Sequence, residues 1–110
     1  MLRDFRGSVV FVTHGQSGDP YWSVVKNGMD DAAKELGVKA EYISPDTFDM
    51  AKMAQMIDSA AASKPDGMVV SIPDAAALST QVKNAVASGI PVIVIDSGGA
   101  KLTHELGGLL

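Results

Sequence analysis

The chain has 110 residues, of which 46% are hydrophobic, and its 9 basic and 13 acidic side chains give a net charge of −4. That length suits one compact domain, and the acidic balance disfavours nucleic acid or an anionic membrane as a partner, since both need a basic face. With no cysteine no disulfide or thiolate metal site forms, and neither His14 nor His104 has a second ligand at zinc spacing, so no metal or cofactor is expected.

The amino terminus, Met1 to Ser8, is charged and lacks the apolar stretch of a signal peptide. The reading is a leader replaced or a cytoplasmic protein. No apolar run approaches the ~20 residues of a membrane span. Apolar runs of strand length then alternate with helix-period segments. The first strand is expected over Val9 to Thr13. A polar, glycine-marked loop follows, Thr13 to Gly18. A helix is expected from about Pro20 to Leu36, because Trp22, Val25, Met29, Ala32, Ala33 and Leu36 share one helical face. Asp19 suits its N-cap, Pro20 its first position and Gly37 its end. Gly28, inside that helix, costs about 1 kcal/mol against Ala, so close packing on the sheet is the expected reason for it.

The second strand is expected over Lys39 to Ser44, and its alternation suits an edge. A helix over Phe48 to Ser63 turns Met50, Met53, Ala54, Ile57, Ala60 and Ala61 to one side. The turn Lys64-Pro65-Asp66-Gly67 precedes a third strand, Met68 to Ile72. Asp74 suits the cap of a third helix, Ala75 to Ser88. The fourth strand is expected over Pro91 to Asp96, and a short amphipathic piece, Leu102 to Leu110, closes the chain. The methionines at 50, 53, 56 and 68 read as core and near-core packing.

Four strands joined by helices imply an α/β fold. It is a three-layer α/β/α sandwich on a parallel sheet, flavodoxin-like or Rossmann-like, with helices on both faces because crossovers are right-handed. All four strand ends then share one rim, carrying Thr13-His14-Gly15-Gln16, Ser44-Pro45-Asp46, Ser71-Ile72-Pro73-Asp74 and Asp96-Ser97-Gly98-Gly99. The opposite rim holds only tight turns. The rim rich in hydroxyls and carboxylates is the expected ligand side.

Standard catalytic signatures fail there. The first loop has Gly15 and Gly18 but neither the third glycine nor the acidic residue of a dinucleotide site, and no Gly-Lys-Ser/Thr of a P-loop. A nucleophile elbow fails at Asp19. His14-Gly15-Gln16 resembles the start of the histidine phosphatases, but Thr13 replaces their arginine and the rest of their set is missing. Each polar candidate also has a plain structural alternative: Asp19 and Asp74 as caps, Asp96 as a turn residue, Trp22 as core and His14 as a solvated loop residue.

The segments THGQSGDPYWSVVKNGMDDAAKELGV, KPDGMVVSIPD and GIPVIVIDSG together resemble the amino-terminal lobe of a type I periplasmic sugar-binding protein. This is the ribose-, galactose- and inositol-binding family of ABC importers, related to the effector domains of LacI-type repressors. The likeness runs from about Val9 to Leu110. It implies a non-catalytic carbohydrate-binding lobe spanning residues 1–110. Asp19, Tyr21, Trp22 and Asp96 stand at the family's ligand positions, with His14 and Gln16 added on the adjoining loop. Aromatic faces suit the C–H face of a sugar ring, and carboxylates accept bonds from its hydroxyls. Ser97 stands where ribose-binding members carry arginine, and Tyr21-Trp22 replaces a commoner pair of phenylalanines. Both departures point away from ribose.

Family members have two lobes, so the likeness further implies a fragment, an engineered lobe or a natural half-protein, incomplete relative to the family lobe. Its expected partners are a small sugar, a second copy met through the open sheet edge and Leu106, Leu109 and Leu110, and ABC importer membrane subunits if it belongs to a longer chain. The family location is periplasmic. Two other readings stay open: a structural half-protein without a ligand, and a small flavodoxin-like phosphate-binding enzyme.

Overall fold

A carboxylate caps each of the three helices among the described residues. In the computed structural model, which describes residues 7–15 and 18–96, α1 spans Pro20–Leu36, α2 Met50–Ala62 and α3 Ala75–Ala87. Asp19, Asp49 and Asp74 accept backbone N–H bonds from Tyr21, Lys52 and Ala77 at 3.0, 3.0 and 3.2 Å. Each bond satisfies one of the donors that a helix start leaves unpaired. Pro20 opens α1, and Gly37 ends it in the left-handed region at φ 70°. A residue with a Cβ adopts that conformation only at a cost. The second helix starts at Met50, two residues later than expected, because Asp49 supplies the cap. Phe48 is therefore left in the loop, 60% exposed.

The strands are β1 (Ser8–Val12), β2 (Lys39–Ile43), β3 (Gly67–Val70) and β4 (Val92–Val94). They form one parallel sheet in the order β2-β1-β3-β4. The expected α/β lobe and the edge position of β2 are both found. Val9 lies opposite Ala40 and Gly67, and Met68 opposite Val92. The chain winds one way from β1 to β2, then crosses β1 to continue through β3 and β4. The reversal falls between β1 and β3, the place where open α/β sheets leave a crevice at their carboxyl ends.

Alternate residues of each strand face opposite ways. Val10, Val12, Met68, Val70 and Val92 meet Met53, Ile57, Leu78, Val82 and Ala85 of α2 and α3 in one buried cluster. The methionine expectation holds: Met53 and Met68 are sealed, and Met50 and Met56 pack against them. The other face carries only α1 among the described residues. A groove of about 190 Å³ runs there between Phe11 and Val69 of the sheet and Met29, Ala33 and Leu36 of α1. Ile93 beside it is 62% exposed. Helices thus lie on both faces as expected, and among the described residues two cover one face and one the other.

Gly28 departs from expectation. It lies on the exposed side of α1, and a Cβ built there meets nothing within 4 Å. Packing against the sheet is not its reason. Among the described residues no helix is long and apolar enough to cross a membrane, and no three metal-ligating side chains cluster. Gln16 and the closing piece Leu102 to Leu110 lie outside the described residues.

Candidate ligand-binding site

The carboxyl ends of β1 and β3 meet at the topological reversal, and the side chains that follow them are bonded together. Thr13 and Ser71 are both fully buried. The Ser71 N–H donates to the Val12 carbonyl at 3.2 Å, and the Thr13 N–H to the Ile43 carbonyl at 3.1 Å. These bonds carry the sheet ladder one residue past the strands, so both side chains have a rigid base. Thr13 Oγ1 donates to the Tyr42 hydroxyl at 2.7 Å and accepts the Gly15 N–H at 3.3 Å. Burial pushes the Tyr42 phenol pKa up, against the opposing pull of the Thr13 bond.

His14 is not a solvated loop residue. It is half-buried, and its backbone N–H donates to Ser71 Oγ at 3.0 Å while its Nδ1 lies 2.7 Å from the same oxygen. Its ring meets Trp22 edge-on at 4.9 Å and Phe48 at 6.1 Å. Burial lowers the His14 pKa below 6.5, with the Asp96 carboxylate opposing the shift. The imidazole is therefore neutral near pH 7.

Trp22 and Tyr21 divide the aromatic work. Trp22 is 6% exposed, as its place on the core face of α1 implies. It lies so close over Gly15 that a Cβ there would sit 2.1 Å from the indole Cγ. Only glycine fits beneath that ring. Tyr21 leans edge-on against Trp22 at 5.1 Å and is 55% exposed. Tyr21 thus offers the open aromatic face, and Trp22 backs it.

The Tyr21 hydroxyl donates to Asp96 Oδ1 at 2.5 Å. That bond and the carboxylate's charge both push the Tyr21 phenol pKa up. Asp96 lies just beyond β4 with φ 68°. A non-glycine residue pays for left-handed backbone, although aspartate tolerates it better than most, and such positions cluster at ligand sites. Asp19 is exposed; one carboxylate oxygen caps α1, leaving the other to accept from a ligand.

The fold thus brings His14, Tyr21, Trp22 and Asp96 to one rim, with Asp19 at the adjoining helix start. Sequence reading missed Ser71, Phe48 and Tyr42. Phe48 carried the one available signal, a large apolar residue in a polar rim loop. The arrangement supplies an exposed aromatic face, two carboxylates and a neutral imidazole, a set that accepts and donates hydrogen bonds. A shallow recess of about 260 Å³ behind Trp22, lined by Lys26, Tyr42 and Ser44 among others, flanks it. A larger depression, about 530 Å³, lies on the opposite rim between Asp58, Lys64, Asn84 and Ser88. It lacks aromatic lining and sits away from the topological reversal.

Residues 9–105 match the sequence pattern of the periplasmic binding protein domain. The chain belongs to that family. Among solved structures, this periplasmic binding protein lobe is similar to a carbohydrate transporter from Acidothermus cellulolyticus 11B in complex with myo-inositol. The two share 35% identity with a TM-score of 0.85, over 96% of this chain and 36% of that one. It is also similar to a periplasmic sugar binding protein of an ABC sugar transporter from Legionella pneumophila, at 36% identity and TM-score 0.80, over 84% and 34% of the two chains. A glucose-galactose binding protein from Geobacillus stearothermophilus gives 31% identity and TM-score 0.80, over 86% and 33%. The lobe spans about a third of the length of these proteins. Among curated protein sequences, none matches it.

Proposed function

We propose that this lobe binds an uncharged sugar or cyclic polyol at its carboxyl rim, without catalysis, as one half of a cleft. The observation that carries the reading is the Tyr21–Asp96 hydrogen bond, which ties an open aromatic face to a carboxylate across the rim. Stacking on a C–H face and acceptance of hydroxyl protons need that pairing. The similar transporter in complex with myo-inositol and the glucose-galactose binding protein support the ligand class. Among the described residues, Lys26 in the flanking recess pairs with Asp30 at 3.0 Å, and the site itself presents two carboxylates and a neutral imidazole, which disfavours a phosphate, a sugar acid and hence the phosphate-binding enzyme. Asp19, Tyr21, Trp22, Asp96, His14 and Gln16 are the proposed contacts.

Full ligand capture in such proteins closes two lobes about a hinge. One lobe supplying half the free energy of a ~μM binder would bind at the ~mM level. Titration calorimetry with myo-inositol, glucose and galactose tests this. Weak saturable binding supports the reading, and sub-micromolar binding by a monomer contradicts the half-cleft. Within a longer chain the lobe would serve an ABC importer in the periplasm and meet its membrane subunits.

A second copy of the chain is the other proposed partner. The apolar groove beside α1 and the exposed Ile93 favour it, since contiguous apolar surface seeks cover. Sedimentation equilibrium distinguishes a dimer from a monomer, and Ile93→Lys is expected to shift a dimer to monomer.

A further inference from the structure

The hydroxyl of Ser71 has one proton to give and two lone pairs. One lone pair takes the His14 backbone N–H at 3.0 Å. The side chain is fully buried, and a buried hydroxyl proton needs an acceptor. The acceptor in reach among the described residues is His14 Nδ1, at 2.7 Å. Nδ1 then carries the lone pair, and the ring proton of the neutral imidazole sits on Nε2. Trp22 and Phe48 both meet the ring edge-on, at 75° and 79°, which restrains its plane. Nε2 has no partner among the described residues.

We propose that Ser71 is a positioning residue that locks His14 as the Nε2–H tautomer, so that His14 offers a fixed hydrogen-bond donor to a hydroxyl oxygen of an uncharged polyol. The inference rests on the sugar reading of the rim and sets a donor of fixed direction beside its acceptors. Asp19 and Asp96 only accept when ionised, and Tyr21 already spends its proton on Asp96. A ring hydroxyl both donates and accepts, so carboxylates alone leave its oxygen unpaired once water is displaced. The burial that keeps His14 neutral works in the same direction as the lock.

Long-range proton–nitrogen spectra of histidine-labelled protein read the tautomer directly. His14→Gln identifies the His14 signals against those of His104. The wild type is expected to show a proton on Nε2 and a bare Nδ1 at about pH 7. Ser71→Ala is expected to release His14 into a tautomer mixture, and Ser71→Thr, which keeps the hydroxyl, to restore the lock. A proton on Nδ1 in the wild type overturns the proposal, as does an unchanged pattern in Ser71→Ala. If Ser71→Ala does not fold, the wild-type tautomer still decides. In a parallel titration with myo-inositol, Ser71→Ala and His14→Gln should each weaken binding about 10-fold. Equal affinity of wild type and Ser71→Ala overturns the donor role. No myo-inositol, glucose or galactose binding by the wild type overturns the sugar reading, and the donor role with it, whatever the tautomer arm shows.

Discussion

The two rims of the sheet are built from the same turns of chain, yet they spend their polar groups differently. On the amino-terminal rim the bonds close the fold on itself. The Ser8 N–H donates to Asp66 Oδ2 and the Asp66 N–H to the Ser8 carbonyl, both at 2.8 Å, and the Lys39 N–H to the Gly7 carbonyl at 3.1 Å. On the carboxyl rim, Thr13–Tyr42, His14–Ser71 and Tyr21–Asp96 are side-chain pairs that bridge different elements and leave open ring faces or oxygens. One rim is finished as a structure; the other still has bonds to give. The difference favours the carboxyl rim for the proposed binding, although a larger depression lies on the finished rim.

Substitutions on either rim test that contrast. The largest effect is expected from Gly15→Ala, whose Cβ would overlap the Trp22 ring. It should cost about 1–3 kcal/mol in denaturant unfolding and displace Trp22, whereas Gly67→Ala, whose nearest neighbours would be 3.9 Å away, should be far milder. Asp96→Ala is next: about 10-fold or greater loss of sugar binding by calorimetry, with little change in Tm. Its mirror is Asp66→Ala, which removes a bond to the Ser8 N–H and should lower stability by about 0.5–1 kcal/mol while leaving sugar affinity intact. If Asp66→Ala weakens binding as much as Asp96→Ala, the rims are not specialised.

Smaller effects sharpen the picture. Gly28→Ala, away from both rims and open to solvent, should raise stability by about 0.5–1 kcal/mol without altering binding. The His14 pKa is lowered on folding, so the unfolded chain takes up its proton first as pH falls. The stability from this group is full above about 6.5 and lost as pH drops toward the lower folded value. His14→Gln should flatten that part of the stability–pH curve, measured by chemical denaturation between about pH 4 and 8.

Local chemistry was legible and distant pairing was not. Asp19-Pro20 and Gly37 gave α1 its limits, Pro20 to Leu36, because caps act within a turn or two. The alternation in β2 and the glycine and proline turns were enough for the parallel sheet and its rich rim. Asp96 stood out as a strand-end carboxylate, but its Tyr21 partner lies 75 residues away. Ser71 looked like one hydroxyl among several, since its bond to His14 spans 57 residues and depends on β1 and β3 being neighbours. Gly28 misled because the cost of a mid-helix glycine was assigned to packing on the sheet, and Gly28 lies on the exposed side of α1. Trp22 was readable as either core or ligand surface; its burial over Gly15 depends on the loop's path, which no periodicity encodes.

The central claim is that the carboxyl rim holds the sugar. Amide shift mapping with myo-inositol at up to tens of millimolar, a range set by the ~mM affinity expected of one lobe, tests it directly. The account predicts saturable shifts at His14, Gly15, Tyr21, Trp22 and Asp96, lost in Asp96→Ala. Shifts confined to Lys64, Ser88 and Ile90 on the opposite rim, or none at all, would contradict it.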